Sequence, residues 1–381
     1  MSSSEYLRQL PSHQRTHSTT QTWLLRLHID GPLLAALAMI MGYSLFVLYS
    51  ASGEEMDTVL RQASRFLAGF VAMLFFAQLP PRTFRFWTPV LYGIGLAMLI
   101  LVLLVGLEAK GAQRWLGIPG IGRFQPSEMM KIAVPALVAW YFRDRALPPS
   151  MKDVLVALAI VMVPSLLIGK QPDLGTAILI SMAGLIVLFM SGLRWRVILA
   201  ALCGGAVAAP LMYFYVLHDY QRRRVDTFLN PEADPLGSGW NIIQSKTAIG
   251  SGGLDGKGWL NGTQSRLDFL PESSTDFIFA VLAEELGLIG ILLLFVLYLF
   301  VIGRGLWISY HAQDLFSRLF GASITLTFFV YILVNVGMVS GLLPVVGVPL
   351  PLMSYGGTSI VTLLIGFGIL MSIHTHRRLM G

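Results

Sequence analysis

Asp276 is the carboxylate in this chain best placed to do chemistry. It closes the stretch Pro271-Glu272-Ser273-Ser274-Thr275-Asp276, and a long apolar run follows it. A carboxylate at such a junction stands where water meets an apolar helix, a candidate for acid–base chemistry at a membrane surface. Glu272, one turn earlier, should lie further into water, and Glu284 and Glu285 lie deeper, as structural or cavity-lining groups. Two other helix entrances share the pattern: Gln125-Pro126-Ser127-Glu128 and Gln171-Pro172-Asp173. Proline is tolerated in a first turn, and acids there meet the positive end of the helix dipole. Capping accounts for any one of these acids alone; three at the same side of a helix bundle point to a shared polar cavity.

The second entrance goes further. Glu128 and Lys131 are three apart, so they share a helical face about a turn into an apolar run. Charges at that depth are costly unless they pair or line a wet cavity. A structural ion pair and a polar cavity floor, rimmed by Arg114, Arg123 and Gln125, are both open. Cations beside carboxylates suit a ligand that carries phosphates. The glycine-rich run 250–258 has the composition of an anion-cradling turn, but it matches neither a Walker A loop nor GxGxxG. Glycines that only let the loop turn tightly explain it equally well. With no nucleotide site legible, energy for any synthesis must arrive with the substrate. The stretch 341–359, with Pro344, Pro349, Pro351, Ser354, Gly356 and Gly357, is expected as a kinked outer segment: either a bend or a cavity wall.

These residues sit in a chain that is 55% hydrophobic and 13% charged over 381 residues. About ten runs of membrane-spanning length lie near 30–51, 62–79, 84–106, 127–142, 152–169, 174–192, 195–217, 276–302, 317–340 and 352–374. Backbone polar groups must pair internally in lipid, which makes the runs helices. The expected fold is therefore all-α: a polytopic membrane protein of about ten transmembrane helices with one large extracytoplasmic loop at 218–275. The aromatic residues and glycines of that loop argue for a folded segment. Residues 1–29 read as a cytoplasmic tail, and 30–381 as the membrane domain. Lys and Arg in short loops, among them Arg82, Arg85, Arg143, Arg145, Arg194, Arg196, Arg304 and Arg318, place both termini in the cytoplasm. Cations also occur on the opposite face, so short loops carry the assignment. The tail leads into a run too long for a signal-peptide core, so no cleavable signal is expected. Cys203 lies in an apolar run as packing, and His374 and His376 read as interfacial residues rather than metal ligands.

The stretches KGAQRWLGIPGIGRFQPSEMMKIAVP, QPDLGTAIL, GKGWLNGTQSRLDFLPESSTDFIFAVLAEELG and NVGMVSGLLPVVGVPLPLMSYGGTS carry a resemblance that covers nearly the whole chain. The sequence resembles the SEDS family (shape, elongation, division and sporulation), and GKGWLNGTQSRLDFLPE with the closing SIHTHRR resembles its elongation branch. The resemblance implies an enzyme of the cell inner membrane that polymerises lipid II into β-1,4-linked glycan on the outer face, releasing undecaprenyl pyrophosphate. It implies Asp276 as general base or orienter of the acceptor hydroxyl; Arg114, Arg123 and Lys131 are expected either as contacts for the pyrophosphate or as stabilisers of the carboxylates. Trp115, Gln125, Glu128, Asp173, Gln244, Ser245, Lys257 and Ser354 join them as expected substrate-binding residues. It further implies a divalent cation, magnesium or manganese, and no nucleotide. The implied partners are a class B penicillin-binding protein and other elongation-complex proteins, with no nucleic acid. A lipid II flippase or a scaffold are the competing classes. A transporter should show repeats or helices broken near mid-membrane, and the runs read as continuous.

Overall fold

Apolar runs that must close their own hydrogen bonds become helices, and ten of them do so at the expected places. The computed structural model describes residues 27–109, 112–118, 122–215, 222, 226, 239–266 and 272–376. The spanning helices are α1 (Gly31–Ala51), α2 (Met56–Gln78), α3 (Pro81–Val105), α4 (Pro126–Phe142), α5 (Met151–Lys170), α6 (Leu174–Met190) and α7 (Trp195–Tyr215). After the large loop, which contributes α8 (Trp240–Gly252) and α9 (Thr263–Arg266), come α10 (Ile278–Tyr310), α11 (Leu315–Val339) and α12 (Thr358–Thr375). Eight are long and apolar enough to cross a membrane. The other two, α4 and α6, have 17 residues each. Among the described residues the chain is thus a multi-pass membrane protein. Most of the expected tail, residues 1–26, lies outside the described residues.

Three features depart from a plain helix bundle. Three short strands, β1 (Leu107–Ala109), β2 (Ala112–Ile118) and β3 (Gly122–Phe124), form a small antiparallel sheet in the order β1-β2-β3. Trp115 pairs with Leu107, and Arg123 with Gly117. Short strands outside the apolar runs leave no long periodic signal, so only their motif residues were legible.

The second departure is a break in α10. The run expected as continuous is interrupted at Gly287, whose φ of 60° and ψ of −160° leave the helix. The glycine-rich loop after α8 inserts there and takes up the freed groups. Lys257 N and Gly258 N donate to Glu284 O and Glu285 O at 3.0 and 2.9 Å, while Leu288 N and Ile289 N donate to Gly253 O and Leu254 O at 3.0 and 3.2 Å. Irregular backbone is tolerated in a membrane protein when protein satisfies it. A Cβ on Gly256 would meet Glu285 O, and one on Gly287 would meet Gly256 N, both too closely to fit. These glycines are therefore required by backbone contact, which decides between the two readings of the run 250–258 in favour of tight turning. Gly287→Ala is expected to cost about 1–3 kcal/mol from the left-handed backbone alone, with more from the displaced loop. Thermal unfolding in detergent measures it, and a melting temperature equal to wild type would contradict it.

The third is the segment 340–357 between α11 and α12, which runs without helix while Val348 and the residues from Leu350 to Ser354 are buried. Side chains from four spanning helices satisfy it. Ser44 of α1 donates to Met353 O at 2.8 Å, Tyr298 of α10 to Pro351 O at 2.7 Å, and Asn335 of α11 to Val348 O at 2.7 Å. Gln62 of α2 donates to Ser354 O at 3.1 Å and accepts from Gly356 N at 3.3 Å. The expected kinked segment is thus a re-entrant one. At the other end of the bundle, Asp30 caps α1 through Leu33 N and pairs with Arg304 of α10 at 2.7 Å, with His374 of α12 2.8 Å away. Burial would raise the Asp30 carboxyl, but the His374 ring beside it and hydrogen bonds from Arg304 and the Leu33 amide hold it well below the usual carboxylate range.

Candidate active site

Asp276 lies half-buried in the turn 272–277, immediately before Phe277, the N-cap of α10. The turn is fixed from several sides. Ser273 Oγ donates to Ala51 O at 3.1 Å, Thr275 Oγ1 to Glu272 Oε2 at 2.7 Å, and Tyr355 N to Ser274 O at 2.8 Å. Asn335 Nδ2 donates to Asp276 O at 2.9 Å as well as to Val348 O. One buried amide on α11 therefore positions both the Asp276 turn and the re-entrant segment. A Cβ placed on Gly347, where φ is +71°, would lie 3.5 Å from Asp276 Oδ2, so the carboxylate abuts nearly bare backbone.

Tyr331, four residues before Asn335 and so on the same face of α11, carries the next polar layer. Lys131 Nζ lies 5.4 Å from its ring centroid and 2.7 Å from Glu128 Oε1. The side chains of this ion pair are only 9% and 8% exposed, which makes it a buried pair whose members depend on each other. Glu128 Oε2 is buried and accepts no hydrogen bond. It is an ion pair, and Glu128 also lines a cavity, though Lys131 and the expected rim residues Arg114 and Gln125 do not line it.

That cavity, of about 590 Å³, is a groove between α2, α3, α4 and α12. Arg65, Glu128, Phe124, Gly357 and Thr358 line one end, and Phe76, Phe84, Phe320 and Ile369 line the other. Arg65 is a site residue that the sequence reading passed over. Its guanidinium carbon lies 4.3 Å from the Tyr355 ring centroid, and its Nη1 is buried without a hydrogen-bond partner. An arginine inside an apolar run was the available signal. Asn335 and Tyr331 were missed for a different reason: uncharged polar residues are frequent within spanning helices.

Outside the groove's lining, Asp173 caps α6 through Thr176 N at 3.2 Å and accepts from Gln125 Nε2 at 3.3 Å. Arg114 of β2 places its Nε 3.7 Å from Asp173 Oδ2 and donates from Nη2 to Pro172 O at 2.6 Å. A Cβ on Gly175 would come 2.7 Å from Val346 O, so the start of α6 packs directly on the segment that carries Gly347. Arg114, Gln125, Glu128, Lys131, Asp173 and Asp276 are thus linked through α4, α6, α11 and one re-entrant segment. The three entrances are neighbours through these contacts, and of their acids Glu128 alone lines the groove.

The remaining expected residues stand differently. Trp115 is half-buried on β2, and Arg123 lies on β3 with its side chain outside the described residues. Ser245 of α8 is buried and donates to Val339 O at 2.8 Å. Gln244 is half-buried beside it in sequence. Lys257 pairs with the buried Glu284 at 2.6 Å, which also accepts from Thr263 N at 2.9 Å. Ser354 is buried and accepts from Leu350 N at 2.8 Å. Ser245 and Lys257 tie the large loop to α11 and α10, while the Ser354 hydroxyl bonds within its own segment.

No group of three His, Cys, Asp or Glu side chains able to hold a metal ion occurs among the described residues. The unpartnered Glu128 Oε2 is a hard oxygen donor in the groove. That fits an ion such as magnesium, which is commonly bound by one or two carboxylates plus substrate phosphates and water.

Residues 26–379 match the Cell cycle protein family of FtsW, RodA and SpoVE. The chain is 53% identical to the peptidoglycan glycosyltransferase MrdB of Escherichia coli K12, over 94% of this chain and 97% of the relative. It is 36% identical to the probable peptidoglycan glycosyltransferase FtsW of Trichlorobacter lovleyi, over 90% and 92%. Among solved structures it is similar to a chain of a peptidoglycan synthase complex that coordinates polymerization and crosslinking, with TM-score 0.80 and 30% identity over 91% and 97% of the two chains. The rod shape determining protein RodA of Thermus thermophilus superimposes with TM-score 0.68 at 28% identity, over 91% and 96%. The ten-helix bundle, its re-entrant segment and the motifs that meet at Asp276 are accordingly those of a known family, and the chain belongs to the FtsW, RodA and SpoVE cell cycle proteins, the SEDS membrane proteins.

Proposed function

We infer that this chain is a peptidoglycan glycosyltransferase that polymerises lipid II into β-1,4-linked glycan at the outer face of the cell inner membrane, serving elongation and rod shape. One observation carries the reading. An apolar groove of about 590 Å³ ends, on the side of Glu128, Arg65 and Thr358, in buried charged groups. Such a groove suits an amphiphile with a long apolar tail and a phosphate-bearing head. The relatives named above are glycosyltransferases, which supplies the class of reaction.

In this reading the acceptor's 4-hydroxyl attacks the anomeric carbon of the donor. A new carbon–oxygen bond forms as the bond to the pyrophosphate oxygen breaks, and the hydroxyl proton passes to the Asp276 carboxylate. Asn335 and Gly347 position Asp276 from below, without competing for its proton. Arg65 and Lys131 supply positive charge for the leaving pyrophosphate, with Arg114 outside the groove's lining; preorganised charge of this kind stabilises the developing anion. A divalent cation, when bound by Glu128 and the substrate's phosphates, would neutralise further negative charge there. A donor that already carries its leaving group needs no nucleotide.

The partner reading follows from the solved relative, which works within a synthase complex. A class B penicillin-binding protein is the proposed crosslinking partner, with other elongation-complex proteins beside it. Arg and Lys in the short loops support an orientation with both termini in the cytoplasm and Asp276 outside.

The groove can be tested by filling it. Ala136 lines it and is 4% exposed. In Ala136→Phe the ring displaces on the order of ten tail contacts at ~0.1–0.2 kcal/mol each. KM for lipid II should rise about five- to thirty-fold with kcat little changed, measured on reconstituted protein. Unaltered kinetics would remove the groove from substrate binding.

A further inference from the structure

At the end of the bundle remote from Asp276, a second cavity of about 530 Å³ opens between the α2–α3 turn, the α10–α11 turn and the end of α12. Its polar walls are Arg82, Arg85, Gln313, Asp314 and His376. Arg82 and Arg85 are three residues apart at the start of α3, so their guanidinium groups share one face. Neither forms an ion pair or hydrogen bond with another described residue. The one carboxylate in the wall is already engaged: Asp314 caps α11, accepting from Ser317 N at 3.2 Å and Ser317 Oγ at 2.8 Å. His376 is stacked on His28, with ring centroids 3.9 Å apart. The pocket therefore presents two uncompensated arginines on a concave surface.

The continuation of α3 indicates which anion fits. Phe86 and Trp87 follow directly, 74% and 49% exposed, as aromatic side chains do at the headgroup level of a bilayer. Phe86, Val90 and Ile94, four residues apart, continue as an exposed apolar stripe away from the pocket. A free anion or an acidic peptide would use the arginines and leave the stripe unused; a phospholipid would use both. Basic pockets between transmembrane helices are suited to anionic headgroups.

We propose that this pocket binds the phosphate headgroup of an anionic glycerophospholipid, with Arg82 and Arg85 on the phosphate oxygens and an acyl chain along Phe86, Val90 and Ile94. The site is separate from the Asp276 site and does not depend on the reaction assigned there. Native mass spectrometry of the detergent-purified full chain, titrated with phosphatidylglycerol or phosphatidylcholine, tests it. Each cation beside an anionic headgroup contributes a factor of about five. The double variant Arg82→Gln/Arg85→Gln should therefore bind phosphatidylglycerol roughly 30-fold more weakly, with phosphatidylcholine retention and the melting temperature unchanged. Arg82→Lys/Arg85→Lys should restore most of the binding. Equal retention of phosphatidylglycerol by the glutamine variant and wild type would overturn the proposal. So would inorganic phosphate displacing the lipid at equal concentration, or a glutamate-rich peptide being captured in its place.

Discussion

Asp276→Asn is expected to lower lipid II polymerisation by about 100-fold or more, the range that a positioned general base contributes. The substitution is nearly isosteric, and the turn has anchors besides the carboxylate. Asn335 bonds the backbone carbonyl of Asp276, and the turn is held through Ser273, Ser274 and Thr275. The variant should thus melt with the wild type and still bind lipid II, with the loss falling on kcat. Turnover of labelled lipid II, alongside a melting curve, separates these effects. Wild-type kcat would exclude Asp276 from the chemistry, whereas a collapsed melting temperature would make it a structural residue.

The second large effect is expected at Lys131. Removing the ammonium in Lys131→Met leaves Glu128 buried without the partner that lies 2.7 Å away. Breaking a buried pair from one side typically costs about 3–5 kcal/mol, because a charge is left uncompensated. The double variant Glu128→Gln/Lys131→Met removes both charges and should recover most of the stability. It should not recover turnover, since it deletes the cation proposed for the leaving pyrophosphate and the carboxylate proposed for the metal ion. Thermal unfolding and kinetics on the two variants test this jointly. Recovered activity in the double variant would reduce the pair to a structural one.

These outcomes bear on what the sequence makes legible. Ten apolar runs became ten helices because lipid leaves the backbone few alternatives. The three proline- and acid-marked entrances converged because helix starts at one side of a bundle are neighbours in space. Other features carry no local signal. The break at Gly287 is produced by a loop some thirty residues earlier, whose amides and carbonyls replace helical partners. A glycine in an apolar run does not announce such a replacement. Asn335 reads as one polar residue in a spanning helix until the structure places its amide between Asp276 O and Val348 O. Lys257 and Ser245 lie in the motif stretches, yet their polar atoms are used to seat the large loop on the bundle. Resemblance of a stretch marks it as important without saying whether for substrate or for fold.

The reconstituted chain, with a class B penicillin-binding protein, lipid II and magnesium, should be followed by resolving products on a gel. A ladder of glycan strands that disappears with Asp276→Asn is the predicted result. Vesicles in which lipid II crosses the bilayer while no strand forms, even with the partner present, would contradict the glycosyltransferase account and make the groove a transport path.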